Sequence, residues 1–497
     1  MKRRLLALPL ALVLVAAAPA AAPVAAPVPA GFDAGLAQAA ALVDGNHPAD
    51  ALVLLDPMLA AAELPAERGQ IEALRSFALA RLERLPDARA AIEAGVANLD
   101  APSMLLLRQL FILRALSGDT NAAADTLQLI AASDPKALNP LPSELVSDVL
   151  RAIRTDDARA FELEYALVAA DWQPADVTLA ELDWLRLRLI TGLAKRGRID
   201  DARAILAAVL NPVVLVRIGI DRRFAALWPA VEARLGPGAD IADAAYVARA
   251  KAIFDTAPKS LVARMGYAEA LNVASREPEA AVIADVAKTP AELAALNNRE
   301  VWIVNLHAAL LGDAGRIDAA LARYAALNAS PPAGRTALIG TIINQALFAE
   351  SVDRPKDALA AADVADSPAV ATNQFGKLFI AQARACAMQQ LGKPQEALGF
   401  AAPLISKPDG NDDAYLAAMI CLGRTDAAAA AIVRRLGEPD NRAEMLFTLQ
   451  PFLIADRPVV RDARQRAGLR ALKARPDVKA AFLKAGRDLP ARVAPPR

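Results

Sequence analysis

The stretch Leu311-Gly-Asp-Ala-Gly-Arg-Ile-Asp-Ala-Ala320 joins one helical segment to the next through a short polar turn. A closely similar turn occurs at Leu193-Ala-Lys-Arg-Gly-Arg-Ile-Asp-Asp-Ala202. In both stretches glycine ends the first helix, and an acidic residue favours the start of the second. The small alanine that follows lets the two helix axes approach closely. This pattern predicts two short antiparallel helices joined by a tight turn.

The turn recurs along the chain at a nearly constant interval. The alanine that opens the second helix is repeated after 39 residues from Ala281 to Ala320, after 38 at Ala358 and after 39 at Ala397. Such regularity is the sequence signature of a repeat architecture. The turns before Ala88 and Ala158 match the pattern least well. Alanines in the same position elsewhere are Ala51, Ala88, Ala123, Ala158, Ala202 and Ala428.

The composition favours helices over sheets. Only 4% of the residues are aromatic, whereas 55% are hydrophobic, with alanine prominent among them. Alanine and leucine suit closely packed helices, while sheets favour β-branched and aromatic residues. Helices of this length are too short to be stable alone, so adjacent pairs must stack and bury a continuous apolar seam. The sequence therefore predicts an all-α fold, an α-solenoid of antiparallel helix pairs.

These blocks resemble tetratricopeptide repeats, which place glycine in the turn, alanine early in the second helix and proline near the end. Gly118, Ala123 and Pro135 fit that pattern, as do Gly197 and Ala202. The spacing in this chain is often longer than the usual repeat of about 34 residues. The tryptophan and tyrosine typical of the first helix are mostly absent. Another helical-pair repeat is the alternative.

The resemblance implies a binding surface. In tetratricopeptide arrays the first helix of each pair lines a concave groove that contacts a peptide. The residues with which chaperone-binding members of the family clamp an acidic C-terminus are not matched, so we do not expect acidic C-terminal peptides as ligands. Register in the repeat places five residues in the groove: Arg108, Asn305, Glu350, Gln382 and Gln389.

The N-terminus has the layout of a secretory signal peptide. Met1 to Arg4 is basic, and Leu5 to Val15 is apolar except for Pro9. Small residues then offer cleavage sites near Ala18 or Ala20. The apolar run is too short to span a bilayer comfortably, so an uncleaved anchor is the less favoured alternative. We expect a periplasmic or secreted chain of a bacterium, with no integral membrane segment after signal removal.

Composition outside the repeats sets the domain boundaries. A valine-rich run and a Gly-Pro-Gly turn interrupt the array between 211 and 240, which predicts a connector between two solenoid arms. Phe224 and Trp228 are expected on one face of a helix in this connector, as local core. The basic residues after 456 are interpreted as a solvated cap, with an anionic partner as the alternative. The predicted organisation is a signal peptide at 1–20, a tether at 21–31, an N-terminal solenoid at 32–210, a connector at 211–240, a C-terminal solenoid at 241–436, and capping helices with a basic tail at 437–497.

We find no residue pattern of a catalytic or metal site. His47 is predicted in a turn and His307 in a helix, with no cysteine or carboxylate at metal-ligand spacing from either. No nucleophile-elbow, dinucleotide or phosphate-loop motif occurs. Glu350-Ser351 matches the residue pair of lytic transglycosylases, but it precedes a repeat turn, so we interpret it as an exposed repeat position. The sequence predicts no enzyme activity, no metal and no cofactor.

Cys386 and Cys421 are the only cysteines. An oxidising compartment permits a disulfide, but two cysteines do not make a disulfide framework. The favoured interpretation is two small buried residues in neighbouring helices, and a bridge is the alternative.

Charge narrows the choice of partner. Lys+Arg and Asp+Glu both total 56, which leaves no electrostatic footprint for nucleic acid. We therefore predict a non-enzymatic periplasmic scaffold or adaptor that binds a protein partner through its groove, in envelope assembly, secretion or polysaccharide export. The identity of the partner and the oligomeric state do not follow from the sequence. The alternative is an accessory or degenerate lytic-enzyme-like protein that binds peptidoglycan or another glycan.

Overall fold

The computed structural model describes residues 31–329, 335–439, 442–450 and 462–489. The predicted signal peptide and nearly all of the tether lie outside the described residues. Within those residues the chain forms 27 α-helices and three 3-10 turns. The β-pairing described is a single antiparallel bridge between Asp221 and Gly486. The predicted all-α class is confirmed.

The chain divides into two compact units, one ending at Val177 and the other beginning at Thr178. In the first unit consecutive helices pack as antiparallel pairs joined by tight turns. Its helices are α1 (Phe32–Asp44), α2 (Pro48–Ala61), α3 (Pro65–Arg81), α4 (Leu85–Ala97), α5 (Met104–Leu116), α6 (Thr120–Ser133), α7 (Ser143–Ala152) and α8 (Asp157–Ala169).

The second unit continues the pairs and ends in a segment that departs from them. Its helices are α9 (Leu179–Lys195), α10 (Ile199–Leu206), α11 (Pro212–Ile220), α12 (Trp228–Leu235), α13 (Asp240–Thr256), α14 (Leu261–Val273), α15 (Glu277–Ala284), α16 (Pro290–Ala295), α17 (Val301–Asp313), α18 (Ile317–Asn328), α19 (Ala337–Ser351), α20 (Pro355–Ala365), α21 (Gln374–Gln390), α22 (Pro394–Ser406), α23 (Asp412–Cys421), α24 (Thr425–Gly437), α25 (Arg442–Thr448), α26 (Ala463–Ala474) and α27 (Pro476–Ala485).

The repeat turn has the conformation that its sequence predicts. Gly197 and Gly315 adopt φ of 71° and 76°, a left-handed conformation that glycine takes without strain. The alanine four residues into the second helix is buried against the first. Alanines in that position with no exposed surface are Ala51, Ala88, Ala123, Ala202, Ala320, Ala358, Ala397 and Ala428.

At two of the predicted alanine positions, a residue one or more places away in the sequence makes the buried contact instead. Ala280, and not Ala281, is the fully buried alanine at the fourth position of α15. Ala158 is exposed near the start of α8, where Phe161 provides the buried contact instead. Adjacent alanines look alike in a sequence pattern, so only packing distinguishes them.

The segment between 211 and 240 is helical and belongs to the second unit. The predicted helix face shared by Phe224 and Trp228 is wrong. Phe224 lies in a 3-10 turn with a non-helical backbone, and Trp228 begins α12. Pro229 occupies the first turn of α12, where proline is well tolerated, so the helix starts too late to include Phe224. Phe224 is nevertheless buried, with 2% of its surface exposed.

The last described segment of the chain returns to the start of the second unit. The carboxylate of Asp221, which has no exposed surface, accepts a 2.6 Å hydrogen bond from the guanidinium of Arg442. Arg217 of α11 forms a 2.7 Å ion pair with Glu444. The backbone N–H of Arg487 donates to the carbonyl of Ile220 at 2.9 Å. Residues 442–450 and 462–489 therefore close the second unit onto α11.

Among the helices described, none combines the length and the apolar character needed to cross a bilayer.

Candidate functional site: a polar pocket at the ends of three first helices

Helices α19, α21 and α23 are each the first helix of a pair. The three pairs are consecutive, and each of these helices packs against the next. They end at Ser351, Gln390 and Cys421. Cys386 and Cys421 form a disulfide that joins α21 to α23. The favoured interpretation of two unbridged cysteines is therefore wrong, although the helices are neighbours as expected. The two Cα atoms lie 5.7 Å apart, within the range that a bridge requires.

A pocket of about 240 Å³ lies where these three helices end. The amino end of α26 covers it from the opposite side. The side chains around it are mainly polar, and none is aromatic. The pocket is lined by Glu350, Ser351, Asp353, Gln382, Cys386, Gln390, Ala417, Ile420, Cys421, Asp462, Ala463, Arg464, Gln465 and Gly468.

Two amides in the pocket have hydrogen-bonding capacity to spare. Gln382 is 8% exposed, and its side chain makes no hydrogen bond within the described parts of the chain. The amide nitrogen of Gln390 donates to the carbonyl of Glu350 at 2.9 Å and to its carboxyl at 3.3 Å. The oxygen of the same Gln390 amide is buried without a partner among the described residues. Buried polar groups are normally hydrogen-bonded, so the Gln390 oxygen is a place where a ligand could bind, with the Gln382 amide in the same pocket.

Glu350 is a neutral acid at physiological pH. Burial raises the pKa of its carboxyl from 4.5 to about 8, and the nearby carboxylates of Asp462 and Asp353 act in the same direction. Arg464 opposes that shift. A protonated carboxyl can donate as well as accept a hydrogen bond. The interpretation of Glu350 as an exposed repeat position is therefore wrong, because α26 covers it.

Three contacts hold α26 over the pocket. The backbone N–H of Asp462 donates to the carbonyl of Ser351 at 3.0 Å. Arg464 pairs with Asp353. Gly468 faces Ile420 so closely that a Cβ atom on Gly468 would lie 2.5 Å from Ile420 Cγ2. The close approach requires glycine at this position.

The structure brings together two of the five predicted groove residues, Glu350 and Gln382. Gln389 is half-buried beside the pocket, and its neighbour Gln390 lines it instead. Residues 389 and 390 both lie about two helical turns from Gln382, so the pattern could not choose between them. Asn305 accepts a 3.0 Å hydrogen bond from Asn344 of the next first helix, away from the pocket.

The fifth predicted residue, Arg108, lies in the first unit and is half-buried. Its Nε donates to the carbonyl of Met104 at 3.3 Å, within its own helix. Asp353, Asp462 and Arg464 were missed by the sequence analysis. They come from a turn and from a helix more than 100 residues away, and no repeat pattern relates them.

A larger cavity, of about 460 Å³, lies between the second helices α18 and α20. Four of the ten residues that line it are alanines, and its two amides are hydrogen-bonded to each other. The amide nitrogen of Asn328 donates to the side-chain oxygen of Gln345 at 2.8 Å, and its oxygen accepts from Thr341 at 2.6 Å. Among the described residues, no amide atom of this cavity is buried without a partner, whereas the Gln390 oxygen in the pocket under α26 is.

Metal-binding chemistry has no geometric support in the described ranges, where no group of three or more His, Cys, Asp or Glu side chains could hold an ion. His307 is 8% exposed, with Nδ1 3.9 Å from Asp285. Burial lowers the pKa of His307, with Asp285 opposing. His47 lies in the turn before α2, as predicted.

Solved structures of other proteins include loose likenesses to this chain. No protein-family model and no curated protein sequence matches the chain. A chain of the solved structure of Naa15/Naa10 bound to HypK-THB is 14% identical, over 91% of this chain and 79% of that one, with a TM-score of 0.25. At that score the two chains do not superpose as whole bodies, so the fold class rests on the helix pairs described above.

Proposed function

We propose that the chain is a non-enzymatic scaffold that binds a protein partner on the surface formed by α19, α21 and α23. The observation that carries this proposal is the side-chain oxygen of Gln390, which is buried in the pocket without a hydrogen-bonding partner among the described residues. Leaving such a group unsatisfied costs about 1–3 kcal/mol. A bound polar group would remove that cost and add to affinity.

A protein fits this surface better than a glycan. The pocket has no aromatic side chain on which a sugar ring could stack. Its rim carries the carboxylates of Asp353 and Asp462 beside the carboxyl-terminal ends of three helices. Helix carboxyl termini are partially negative, so this rim favours a cationic side chain. Peptide segments provide both cations and backbone hydrogen-bonding groups.

An exported location is part of the same proposal. The Cys386–Cys421 disulfide supports it, because such bridges persist in oxidising compartments and are rare in the cytosol. The basic and apolar N-terminal pattern supports it independently. In this setting the scaffold would serve envelope assembly, secretion or polysaccharide export.

Photocrosslinking in the native host tests the proposal. A photoreactive residue replaces Gln389, which is half-buried beside the pocket. The matched control replaces Val282, a residue of the second helix α15 that is 74% exposed. We expect the same discrete protein adduct from Gln389 in repeated experiments, and no such adduct from Val282.

The glycan alternative has its own readout. Purified peptidoglycan is sedimented with the chain, and the bound fraction is measured. Cosedimentation, together with the absence of any protein adduct at Gln389, would replace the proposed function with glycan binding. Absence of both would reject this surface as a binding site.

A further inference from the structure

We propose that α26 is an internal occupant of the binding surface, and that the partner is a basic helical segment that takes its place. This inference rests on the proposed function, because it names the chemistry and the regulation of the same site. It makes the described structure the closed state of the scaffold.

The weak attachment of α26 is the first observation. Of its twelve residues only Leu472 is buried. The helix lies over polar groups and is held at its amino end by one backbone hydrogen bond and the Arg464–Asp353 pair. Exposed ion pairs contribute little stability, and both of these side chains are about 60% exposed. At its carboxyl end, Lys473 also donates to the carbonyl of Leu449 at 2.7 Å and pairs with Asp488. A competing segment therefore has to replace polar contacts at both ends of α26, but little apolar burial.

Charge defines the competitor. The α26 helix and the residue after it contain Arg464, Arg466, Arg470, Lys473 and Arg475. Arg464 lines the pocket, where three helices end and where carboxyl groups cluster. Lys473 and Arg475 pair with carboxylates elsewhere, namely Asp488, Asp426 and Asp477. Cations are stabilised near helix carboxyl termini, whereas anions are disfavoured. A basic segment is therefore the chemistry that this surface accepts, and an acidic one is not.

Shape adds a second requirement. The contact between Gly468 and Ile420 leaves no room for a side chain on the bound helix at that point. A partner helix must carry glycine, or withdraw by more than an ångström, to dock in the same way. Small residues are the usual means by which two helices approach this closely.

The unfilled space under α26 explains how a partner could bind better. The pocket of about 240 Å³ persists with α26 in place, and the buried side-chain oxygen of Gln390 lacks a hydrogen-bonding partner among the described residues. A partner helix with a long polar side chain above the pocket would fill this space and satisfy the amide. The chain's own helix does neither, which makes it a replaceable occupant.

A peptide binding experiment tests the inference. The probe is a fluorescent peptide with the sequence of residues 462–475. It is added to the unmodified chain, to the variant Gly468→Leu and to the matched control Ala467→Leu, which adds the same side chain at an exposed neighbouring position. The clash with Ile420 should displace α26 in Gly468→Leu alone. We expect the peptide to bind that variant roughly tenfold or more tightly than the other two chains, since an attached competitor acts at high effective concentration.

The peptide has its own control. A probe with leucine in place of Gly468 should bind none of the three chains, because it carries the same clash. Equal binding of the original probe to all three chains, or no binding to the folded Gly468→Leu variant, would overturn the inference. Photocrosslinking at Gln389 stays independent of these results, so failure of α26 as an occupant is distinguishable from failure of the proposed function.

A second variant covers the case in which Gly468→Leu does not fold. Residues Ile420 and Gly468 are both replaced by cysteine. A Cβ at position 468 lies 3.7 Å from the Cβ of Ile420, within the range of about 3.5–4.5 Å that a disulfide spans. Mass spectrometry of peptides should show a 420–468 bridge beside the native 386–421 bridge. Free thiols at both new positions would mean that α26 does not occupy this surface.

Discussion

Glu350 is held as a neutral acid because α26 covers it and because Asp353 and Asp462 lie nearby. Its pKa rises from 4.5 to about 8 on folding, with Arg464 alone opposing the shift. The folded chain therefore binds more protons than the unfolded chain between these two pH values. The favourable contribution of the buried acid is complete below pH 4.5 and is lost as the pH rises to about 8.

The first prediction concerns Glu350→Gln, which keeps the shape but cannot ionise. As the pH rises, ionisation of Glu350 should lower the free energy of unfolding of the unmodified chain by at most about 1.4 kcal/mol per pH unit. Urea unfolding between pH 5 and 9 should show a smaller slope in the variant. Some slope will remain, because burial also raises the pKa values of Glu269 and Asp243 to about 7.

The matched control for this prediction is Glu63→Gln, at an exposed position in the first unit. It should leave the slope unchanged. An identical slope in Glu350→Gln and in the unmodified chain would mean that the carboxyl is not buried under α26.

The second prediction separates two glycines that sequence patterns treat alike. A Cβ on Gly312 would lie 2.2 Å from Phe348, which is 1% exposed and packs on Tyr324. Gly312→Ala should therefore destabilise the chain by about 1–3 kcal/mol through overpacking. Gly399→Ala in α22 meets no atom within 4 Å and should stabilise it by about 0.5–1 kcal/mol. Thermal unfolding of both variants checks the sign of each effect, and equal effects would contradict the packing of α17 on α19.

At the scale of the element, the sequence predicts which helices form pairs, but not which of two adjacent residues in a helix faces its partner. Glycine in the turn and alanine four residues into the second helix depend on local backbone geometry, which sequence determines directly. The choice between Ala280 and Ala281, or between Gln389 and Gln390, depends on how two helices rotate against each other. The cover formed by α26 depends on contacts between distant residues, and no local pattern encodes it.

The third prediction concerns the disulfide between α21 and α23. The two cysteines are 35 residues apart, so the bridge closes a loop large enough to restrict the unfolded chain. Replacing Cys386 and Cys421 together by serine should lower the free energy of unfolding by about 2–4 kcal/mol. Adding a reductant to the unmodified chain should lower it by a similar amount and leave the variant unaffected. No effect of the reductant on the unmodified chain would show that the bridge does not form.

At the scale of the whole molecule, the second unit is closed by its own last segment. Arg217 lies between the rings of Trp184 and Phe447, with its guanidinium carbon 4.8 Å and 4.3 Å from their centroids. Arg487 packs 3.8 Å from the ring centroid of Trp228. Cation–π contacts of this kind gain strength where water is excluded, and Arg217 is only 5% exposed. These contacts hold residues 442–450 and 476–489, before and after α26, against the start of the second unit.

The fourth prediction tests this closure. Asp221→Asn removes the charge that Arg442 and Arg223 share. Loss of one partner from a buried pair costs about 3–5 kcal/mol. We expect faster hydrogen exchange and easier proteolysis across residues 442–450 and 462–489. The matched control is Asp318→Asn, whose carboxylate is 84% exposed and pairs with Arg354, and it should change neither measurement. Unchanged protection in Asp221→Asn would contradict the closure.

The most direct test is a distance between α26 and the surface that it covers. Spin labels are attached at Ala467→Cys on α26 and Leu391→Cys at the end of α21, both exposed, with the native disulfide intact. Pulsed electron resonance should give one short, narrow distance distribution in the otherwise unmodified chain. Adding Gly468→Leu should shift it to long, broad distances. A broad distribution that is the same with and without Gly468→Leu would contradict the central claim that α26 occupies the binding surface.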